Sequence, residues 1–586
     1  MLEIKLTNNT NINIKMGGHK MSKKYLIVGG VAGGASTAAR LRRLGEEDEI
    51  IMFEKDPYVS FSNCCLPYHL SGTVKDAGSL VLMSPDKFKA QYNIDARVHN
   101  EVTAINREKK QVTVKNVITG EEYTENYDKL ILSPGAKAIV PKIKGIENVK
   151  VFTVRNVVDI DKLNRYVKEN KIKNVSVIGG GFIGVEVAEN LREAGNNVSL
   201  VEALPHIMKP FDYDMAQILH KEMYDHGVNL IVGDKVESFE KDTVVLGSGK
   251  KIEAEAVVMA IGVKPDTELA VKAGLEIGET GAIKVDQNYM TSDKDIYAVG
   301  DAIEVYNALS GKKTKISLAG PAQKQARQAA DHIHGKVVRN TGFIGSSVVK
   351  CFDYNAASVG LNEEMIEALK LDINYEVAKV IPGDKVGLMP GCEPLHFKLL
   401  FEIPTGKVLG AQAIGKGNVD KRMDVIATAI KFGATVDDLR DLELCYAPPF
   451  GTAKDVVNFA GYVGTNLLNG SFKQVREKDV RGLVESGAFI VDVREKNEYD
   501  LSHIIGAKNI PLSQLRQRTN EIPKDQPVYL HCRSAQRSYN AVMALQQLGF
   551  QNVYNISGGF MGISFYEYFD DVTTGRKKIV TDYNFL

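Results

Sequence analysis

Short apolar runs alternate with longer amphipathic stretches along this chain, a pattern that predicts parallel strands connected by helices. The run KYLIV at 24–28 leads into small residues and then an amphipathic stretch that continues to Leu44. The same order returns in NVSVIGGGFIGVEVAENLREAG at 174–195. Composition changes near residue 470, and the later runs FIVDVRE, HIIGAKNIPL and PVYLHC predict a separate α/β unit.

The totals narrow the class of protein. A length of 586 residues exceeds what one hydrophobic core supports and predicts several domains. The formal net charge of zero gives no electrostatic argument for a nucleic-acid or anionic-membrane partner. No apolar run reaches the roughly 18 residues of a membrane span, and the polar N-terminus lacks a signal peptide's apolar stretch. We therefore expect a cytoplasmic protein with no nucleic-acid or membrane partner, and a disordered leader at residues 1–20.

The six cysteines include no CxxC pair. Their spacing fits neither a disulfide scaffold nor a zinc site, so we expect reduced thiols and no metal. Any cysteine with a special role is then expected to be catalytic.

The first glycine turn departs from the dinucleotide fingerprint at one position. Gly29 and Gly34 stand where GxGxxG requires them, but Val31 replaces the middle glycine. Glu54, twenty residues after Gly34, is placed to accept hydrogen bonds from a ribose diol. Together these residues predict a nucleotide site.

The second turn has the full fingerprint. Gly179, Gly181 and Gly184 are in GxGxxG register, which lets the backbone approach a pyrophosphate at the N-terminus of a helix. Glu202 ends the next strand and would repel a 2′-phosphate, so NADH is favoured over NADPH.

Two further segments indicate which cofactor each glycine turn binds. DKDIYAVGDAIEV, around Asp301, resembles the second flavin-contacting motif of the two-dinucleotide-binding flavoprotein disulfide reductases, in which the aspartate meets the ribityl chain. YDKLILSPGAKA, around Ser133, resembles the return strand between their two nucleotide domains. The resemblance implies FAD at the first turn and NAD at the second.

Adjacent cysteines at 64 and 65 are the candidates for redox chemistry. A trans peptide places their Cα atoms ~3.8 Å apart, below the ~4.4 Å minimum of ordinary disulfides, so a Cys64–Cys65 bridge would be strained. Dithiol members of the superfamily use CxxxxC, but Tyr68 and His69 follow Cys64 at four and five residues. A single thiol would pair with an external sulfur.

SFSNCCLPYHLSG at 60–72 resembles the active-site segment of coenzyme A-disulfide reductases and the related NADH-dependent persulfide and polysulfide reductases. The resemblance implies that Cys64 is the nucleophile, and that Cys65 holds a position usually occupied by glycine or alanine. We expect Cys65 to be a packing residue, with a redox role left open. Helix amides and the flavin are expected to stabilise the Cys64 thiolate.

The same resemblance, over about 24–462, implies further site residues. CFDYNAASVG and LCYAPPFGTAKD match the two tyrosine motifs of the dimerisation domain. The match implies that the hydroxyl groups of Tyr354 and Tyr446 reach the Cys64 site from the partner subunit. Two arginines three residues apart on a helix suit a phosphate clamp. The residues implied in coenzyme A binding are Ser36, Arg40, Arg43, Ser60, Asn63 and Lys454.

The C-terminal unit carries a second candidate nucleophile. CRSAQR, from Cys532 to Arg537, joins a strand to a helix, and the backbone N–H groups of such a loop cradle an anion and stabilise a thiolate. With DVRE, His503 and GGF, it resembles rhodanese sulfurtransferase domains over about 474–586. A CxxxxxR phosphatase loop is the alternative, but this loop is one residue too short. An inactive rhodanese fold is less expected because Cys532 is kept.

These observations predict an α/β protein with two Rossmann-like domains, an α+β dimerisation domain and a C-terminal rhodanese-like domain. The expected function is a homodimeric enzyme in which NADH reduces FAD, and FAD reduces a Cys64 mixed disulfide or persulfide. Coenzyme A disulfide, coenzyme A persulfide and polysulfide stay open as substrates, although the rhodanese favours persulfides and polysulfides. The alternatives are an NADH oxidase or peroxidase of the same fold, and a redox-sensing or sulfur-carrying protein. The predicted boundaries are 21–148 with 266–338 for the FAD domain, 149–265 for the NAD domain, 339–465 for the dimerisation domain, 466–473 for the linker and 474–586 for the rhodanese domain.

Overall fold

The computed structural model describes residues 22–586, so the leader predicted at 1–20 lies outside the described residues. Within this range, no helix has both the length and the apolar character needed to cross a membrane.

The first βαβ domain is built on a five-stranded parallel sheet, because its buried apolar runs are connected by helices that cover the sheet. Helices Ala32–Arg42 and Ala319–Ile333 pack against each other beside it. A three-stranded antiparallel sheet covers the outer part of this domain. The parallel strands, in sheet order, are Ile296–Ala298, Lys129–Leu132, Lys24–Val28, Glu49–Phe53 and Asp95–Arg97, and the antiparallel strands are Asn100–Asn106, Gln111–Asn116 and Glu122–Asn126.

The second βαβ domain repeats this architecture. Strands Ala136–Ala138 and Val263–Pro265 pair antiparallel where the chain passes between the two domains. Its parallel strands, in sheet order, are Asn229–Val232, Asn197–Glu202, Asn174–Ile178, Ala256–Met259 and Val151–Phe152; its helices are Val157–Glu169, Phe182–Glu193 and Tyr213–Asp225; its antiparallel strands are Val236–Glu240, Thr243–Leu246 and Lys251–Glu253.

A five-stranded antiparallel sheet follows, and helices Val419–Phe432 and Val456–Leu468 pack against it. Its central strands are almost continuously buried, including the polar side chains of His396, Lys398 and Gln412. The strands, in sheet order, are Ser346–Cys351, Tyr354–Gly360, Val408–Gly415, Leu395–Glu402 and Tyr375–Val380, and the helices are Glu363–Ala368, Val419–Phe432, Val436–Asp441 and Val456–Leu468.

The C-terminal domain has a five-stranded parallel sheet of its own. Its strands, in sheet order, are Lys473–Val475, Val553–Ile556, Val528–His531, Phe489–Asp492 and Lys508–Asn509, and its helices are Glu477–Glu485, Lys496–Leu501, Gln536–Gln547 and Gly559–Thr574.

Buried ion pairs attach the C-terminal domain to the rest of the chain. Lys379 of the antiparallel sheet lies 2.9 Å from Asp214 of the second βαβ domain and 2.7 Å from Glu477 of the C-terminal domain. The Lys379 and Glu477 side chains are each 3% exposed, and Lys379 is the ion-pair partner of Glu477, so removal of Lys379 would leave the Glu477 carboxylate as an unpaired buried charge. Phe569 also packs edge-on against His220 of the second βαβ domain. The C-terminal domain is therefore docked rather than loosely tethered.

Candidate active sites

The first glycine turn is shaped by close backbone contacts. Gly29 has φ +94°, and a Cβ there would lie 2.1 Å from the carbonyl oxygen of Ser133. A Cβ at Gly34 would lie 1.8 Å from the carbonyl oxygen of Gly29. The helix Ala32–Arg42 begins after Val31 without a side-chain cap, so its first N–H groups are available to an anion.

The second turn has the same contacts and an additional opening. Gly179 has φ +110°, and a Cβ at Gly184 would lie 1.8 Å from the Gly179 carbonyl oxygen. Gly181 precedes the helix Phe182–Glu193, which also lacks a side-chain cap. A Cβ at Gly181 would meet no atom within 4 Å, so open space lies next to the uncapped helix N-terminus. A pyrophosphate fits this arrangement.

Both acidic residues at the strand ends are held by the glycine turns. The Gly30 N–H donates to Glu54 Oε2 at 3.0 Å, and the Gly180 N–H donates to Glu202 Oε2 at 2.7 Å. Burial raises the pKa of the Glu54 carboxyl, and the Gly30 N–H opposes this shift. The two carboxylates thus occupy equivalent positions in the two domains.

Ser133 and Asp301 lie at the carboxyl ends of neighbouring parallel strands, next to the first turn. A Cβ at Gly33 would lie 2.5 Å from Ser133 Oγ. Asp301 is 3.8 Å from the Arg155 guanidinium. Burial raises the pKa of the Asp301 carboxyl, and Arg155 opposes it.

Cys64 is exposed on the short 3-10 helix Asn63–Cys65. The loop before it is fixed by Ser60, which has φ +48° and donates its N–H to the carbonyl of Gly30 at 2.8 Å. This bond joins the cysteine loop directly to the first glycine turn. Cys65 is half-buried and packs against the apolar core. The two adjacent side chains therefore have different environments.

The charges around Cys64 differ from the sequence expectation. Burial, followed by the charges of Glu186 and then of Cys65 and Asp301, raises the pKa of the Cys64 thiol. The chain alone therefore disfavours the thiolate that helix amides were expected to stabilise.

Ser36, Arg40 and Arg43 lie on the first helix or at its C-terminal end, but the arginines do not form a free clamp. Arg40 donates from Nε to Asp331 Oδ1 at 2.9 Å, whereas Arg43 is exposed and donates to the carbonyl of Ala39. Ser36 is half-buried on the same helix. Lys454 is exposed, with its ammonium 5.8 Å from the Tyr462 ring centroid. A phosphate bound by Arg40 would compete with Asp331.

Neither predicted tyrosine joins Cys64 within one chain. Tyr354 begins a strand and is half-buried, and burial followed by the charge of Glu222 raises its pKa to about 12. Tyr446 is 50% exposed.

Cys532 follows the strand Val528–His531 and is 1% exposed. Ala535, within its loop, has φ +71°, a left-handed conformation that brings the loop around the thiol. The Ser538 hydroxyl lies 3.7 Å from Cys532 Sγ. The Phe560 N–H donates to the Cys532 carbonyl at 2.8 Å, which brings the GGF segment against the Cys532 loop.

Arg537 is held at the rim of this loop. Its Nη1 and Nη2 each donate at 2.7 Å to the Glu498 carboxylate. Beneath the loop, Arg494 pairs with Asp492 at 2.6 Å, and both side chains are buried. His503 stacks on Tyr499, with ring centroids 3.9 Å apart.

Sequence reasoning missed several residues near these sites. Glu186 lies on the helix after the second turn, and burial followed by the charge of Glu189 raises its pKa to about 7. Its position two residues after the last fingerprint glycine was the available signal. Asp331 and Glu498 are distant in sequence from their arginine partners, so no local pattern identifies them.

Comparison with known families covers most of the chain. Residues 23–326 match the family described as pyridine nucleotide-disulphide oxidoreductase. Residues 346–456 match the dimerisation domain of that group, and residues 476–564 match the rhodanese-like domain. These matches confirm the predicted fold class.

Individual relatives and solved structures are similar to most of this chain. Coenzyme A disulfide reductase of Staphylococcus aureus strain JH9 is 35% identical over 440 residues, covering 75% of this chain and 99% of the relative. The crystal structure of reduced Bacillus anthracis CoADR-RHD has 47% identity and a TM-score of 0.90, covering 93% of this chain and 98% of that one. The structure of an NAD-dependent persulfide reductase from A. fulgidus has 34% identity and a TM-score of 0.86, covering 92% and 99%.

Proposed function

Because this chain belongs to the pyridine nucleotide-disulphide oxidoreductase family, we propose that it is an NADH-dependent FAD enzyme that reduces coenzyme A disulfide, coenzyme A persulfide or polysulfide through Cys64. The observation that supports this proposal most directly is the exposed Cys64 side chain, on a loop that is hydrogen-bonded to the first glycine turn, whereas Cys65 packs against the core. Its rhodanese domain transfers sulfane sulfur at Cys532.

The cofactor assignment rests on the two uncapped helix N-termini. Gly29, Gly34 and Glu54 would hold FAD together with Ser133 and Asp301, and the fingerprint ending at Gly184 would hold NADH. When bound, these groups supply the two electrons that return Cys64 to the reduced state. Glu202 disfavours the extra phosphate of NADPH by like charge.

Cys64 acts as a nucleophile in this proposal. Its thiolate attacks one sulfur of the substrate, the substrate S–S bond breaks, and a Cys64 mixed disulfide or persulfide forms while the other sulfur leaves as a thiolate. Ser60 and Asn63 lie beside Cys64 and would position the pantetheine end of coenzyme A.

The leaving sulfur needs a proton, and Tyr354 and Tyr446 of the partner subunit are proposed to stabilise or protonate it. The half-exposed Tyr446 and the 65% exposed Phe450 support this arrangement, since a second copy would cover them. The match to a dimerisation domain supports a homodimer. A reducing cytoplasmic location suits an enzyme that depends on free thiols.

The rhodanese domain has the parts needed for sulfur transfer. The Cys532 thiolate attacks the outer sulfur of a donor and the donor S–S bond breaks. A Cys532 persulfide forms within the loop, and the rest of the donor leaves as a thiolate or, from thiosulfate, as sulfite. Arg537 and the loop N–H groups would stabilise the anionic donor. A sulfur carrier is unnecessary for a plain disulfide, so this domain favours persulfides and polysulfides as substrates.

A parallel assay tests the proposal. NADH oxidation by the purified enzyme is measured with coenzyme A disulfide, coenzyme A persulfide, a polysulfide, hydrogen peroxide and oxygen. We expect the sulfur substrates to be reduced much faster than peroxide or oxygen. Faster turnover with peroxide or oxygen would instead identify an oxidase or peroxidase.

A further inference from the structure

Three side chains outside the sites above converge between the second βαβ domain and the antiparallel sheet. Glu222 and His226 lie at the C-terminal end of the helix Tyr213–Asp225, and Asp353 lies in the turn before Tyr354. One possible ligand atom from each of the three lies within 4.8 Å of the other two. This group is unrelated to the nucleotide turns and to the cysteine motifs.

We propose that Glu222, His226 and Asp353 form a binding site for a divalent transition-metal ion of the zinc class. Residues four apart on a helix present their side chains on one face, as in helical zinc motifs. One imidazole and two carboxylates are a ligand set that Zn²⁺ accepts, with water completing the coordination. Three protein ligands on two domains make this a bridging site.

The ligands are already oriented by other contacts. The His226 ring stacks on Phe352, with centroids 4.1 Å apart and an interplanar angle of 7°. His226 Nδ1 lies 3.0 Å from the backbone carbonyl of Glu222, the kind of contact by which metal-binding histidines fix their tautomer. The Asp353 N–H donates to Glu222 Oε1 at 2.9 Å, which ties the carboxylate to the turn.

The site opens to solvent, and positively charged side chains lie around it. A cavity of about 460 Å³ is lined by His226, Phe352 and Asp353 together with Arg192, Glu193 and Lys350. Lys416 lies 3.6 Å from Asp353, so its ammonium competes with a cation for this carboxylate. A bound ion would fix the turn before Tyr354 to the second βαβ domain.

Zinc binding to the full-length, flavin-loaded protein tests the site. After removal of metal by a chelator, the protein is dialysed against Zn²⁺ and the bound zinc is counted by mass spectrometry. Because cysteine thiols also bind zinc, the informative quantity is the difference in bound zinc between the wild type and each variant. We expect His226→Ala and Asp353→Asn to lose one zinc per chain, or to bind it at least about tenfold more weakly. Glu193→Gln, which alters an acid lining the same cavity, should bind zinc like the wild type. Equal zinc content in all four proteins would overturn the proposal.

Two further measurements keep the test valid if a ligand variant folds poorly. Lys416→Gln retains all three ligands and removes the competing cation, so it should bind zinc more tightly than the wild type; unchanged affinity counts against the site. Crystals soaked in Zn²⁺ should show an anomalous peak between the three side chains. Peaks at cysteines alone would refute the assignment.

Discussion

The Gly180 N–H donates to Glu202 at 2.7 Å, so the second glycine turn itself fixes the carboxylate at the end of the next strand. A second bond, from the Leu204 N–H to Glu202 Oε1 at 2.8 Å, holds the other oxygen. The negative charge therefore has a defined position beside the nucleotide turn. In the proposed function, this charge is what disfavours the 2′-phosphate of NADPH.

Glu202→Gln should narrow the preference for NADH. The amide keeps a hydrogen-bonding oxygen but removes the charge that repels a 2′-phosphate, so kcat/KM with NADPH should rise by about tenfold. Steady-state rates with both nucleotides measure the change. Glu54→Gln, in the equivalent position of the first domain, should leave the ratio unaltered. A wild type that is faster with NADPH would contradict the assignment.

Glu186→Gln should increase the reactivity of Cys64 above pH 7. The pKa of Glu186 is raised to about 7, so above this pH its carboxylate is charged and raises the pKa of the Cys64 thiol. Removing the charge lowers the pKa of Cys64 and increases its thiolate fraction. The rate of Cys64 alkylation by iodoacetamide at pH 8, followed by mass spectrometry, should rise. Glu193→Gln, near the exposed end of the same helix, should not change it.

Activity should require two copies of the chain. Cys64→Ser and Tyr446→Phe protomers, each impaired alone, should regain activity when exchanged into mixed dimers, because one site then has both an intact Cys64 and an intact partner tyrosine. Native mass spectrometry establishes that mixed dimers form. Verified mixed dimers without recovered activity would place Tyr446 outside the partner's site.

Cys532→Ser should separate the two modules. Sulfur transfer from thiosulfate to cyanide should be lost, while NADH-driven reduction of coenzyme A persulfide stays near the wild-type rate, because Cys532 belongs to a separate sheet and loop. With bulky or protein-bound sulfur donors, the variant should be slower if the rhodanese feeds the reductase. Identical rates on every donor would exclude that relay, although not the reductase.

Local sequence patterns predicted the fold class because the strand, glycine turn and helix that identify each nucleotide unit lie within about 30 consecutive residues. Gly29 and Gly179 stand where the backbone turns with positive φ, and the strand and helix on either side follow the apolar period. Family resemblance then identified the C-terminal domain and Cys64 as the candidate nucleophile.

Local patterns could not predict contacts between residues that are far apart in the sequence. The Arg40 side chain pairs with Asp331, which lies 291 residues later in the sequence. This pair forms only because the helices Ala32–Arg42 and Ala319–Ile333 pack against each other. The buried Lys379–Glu477 pair fixes the C-terminal domain, but nothing in either local sequence distinguishes these charges from solvated ones. The raised pKa of Cys64 also arises from burial and from residues of other segments.

The role of Cys64 is the central claim, and NADH oxidation by Cys64→Ser and Cys65→Ser tests it directly. With coenzyme A disulfide and coenzyme A persulfide as substrates, Cys64→Ser should lose activity by at least about a thousandfold, because no other thiol replaces the nucleophile. Cys65→Ser should keep most of the wild-type rate, since Cys65 packs against the core. Flavin content and thermal stability control for folding. Equal loss in both variants would contradict the single-thiol account and indicate a working vicinal pair.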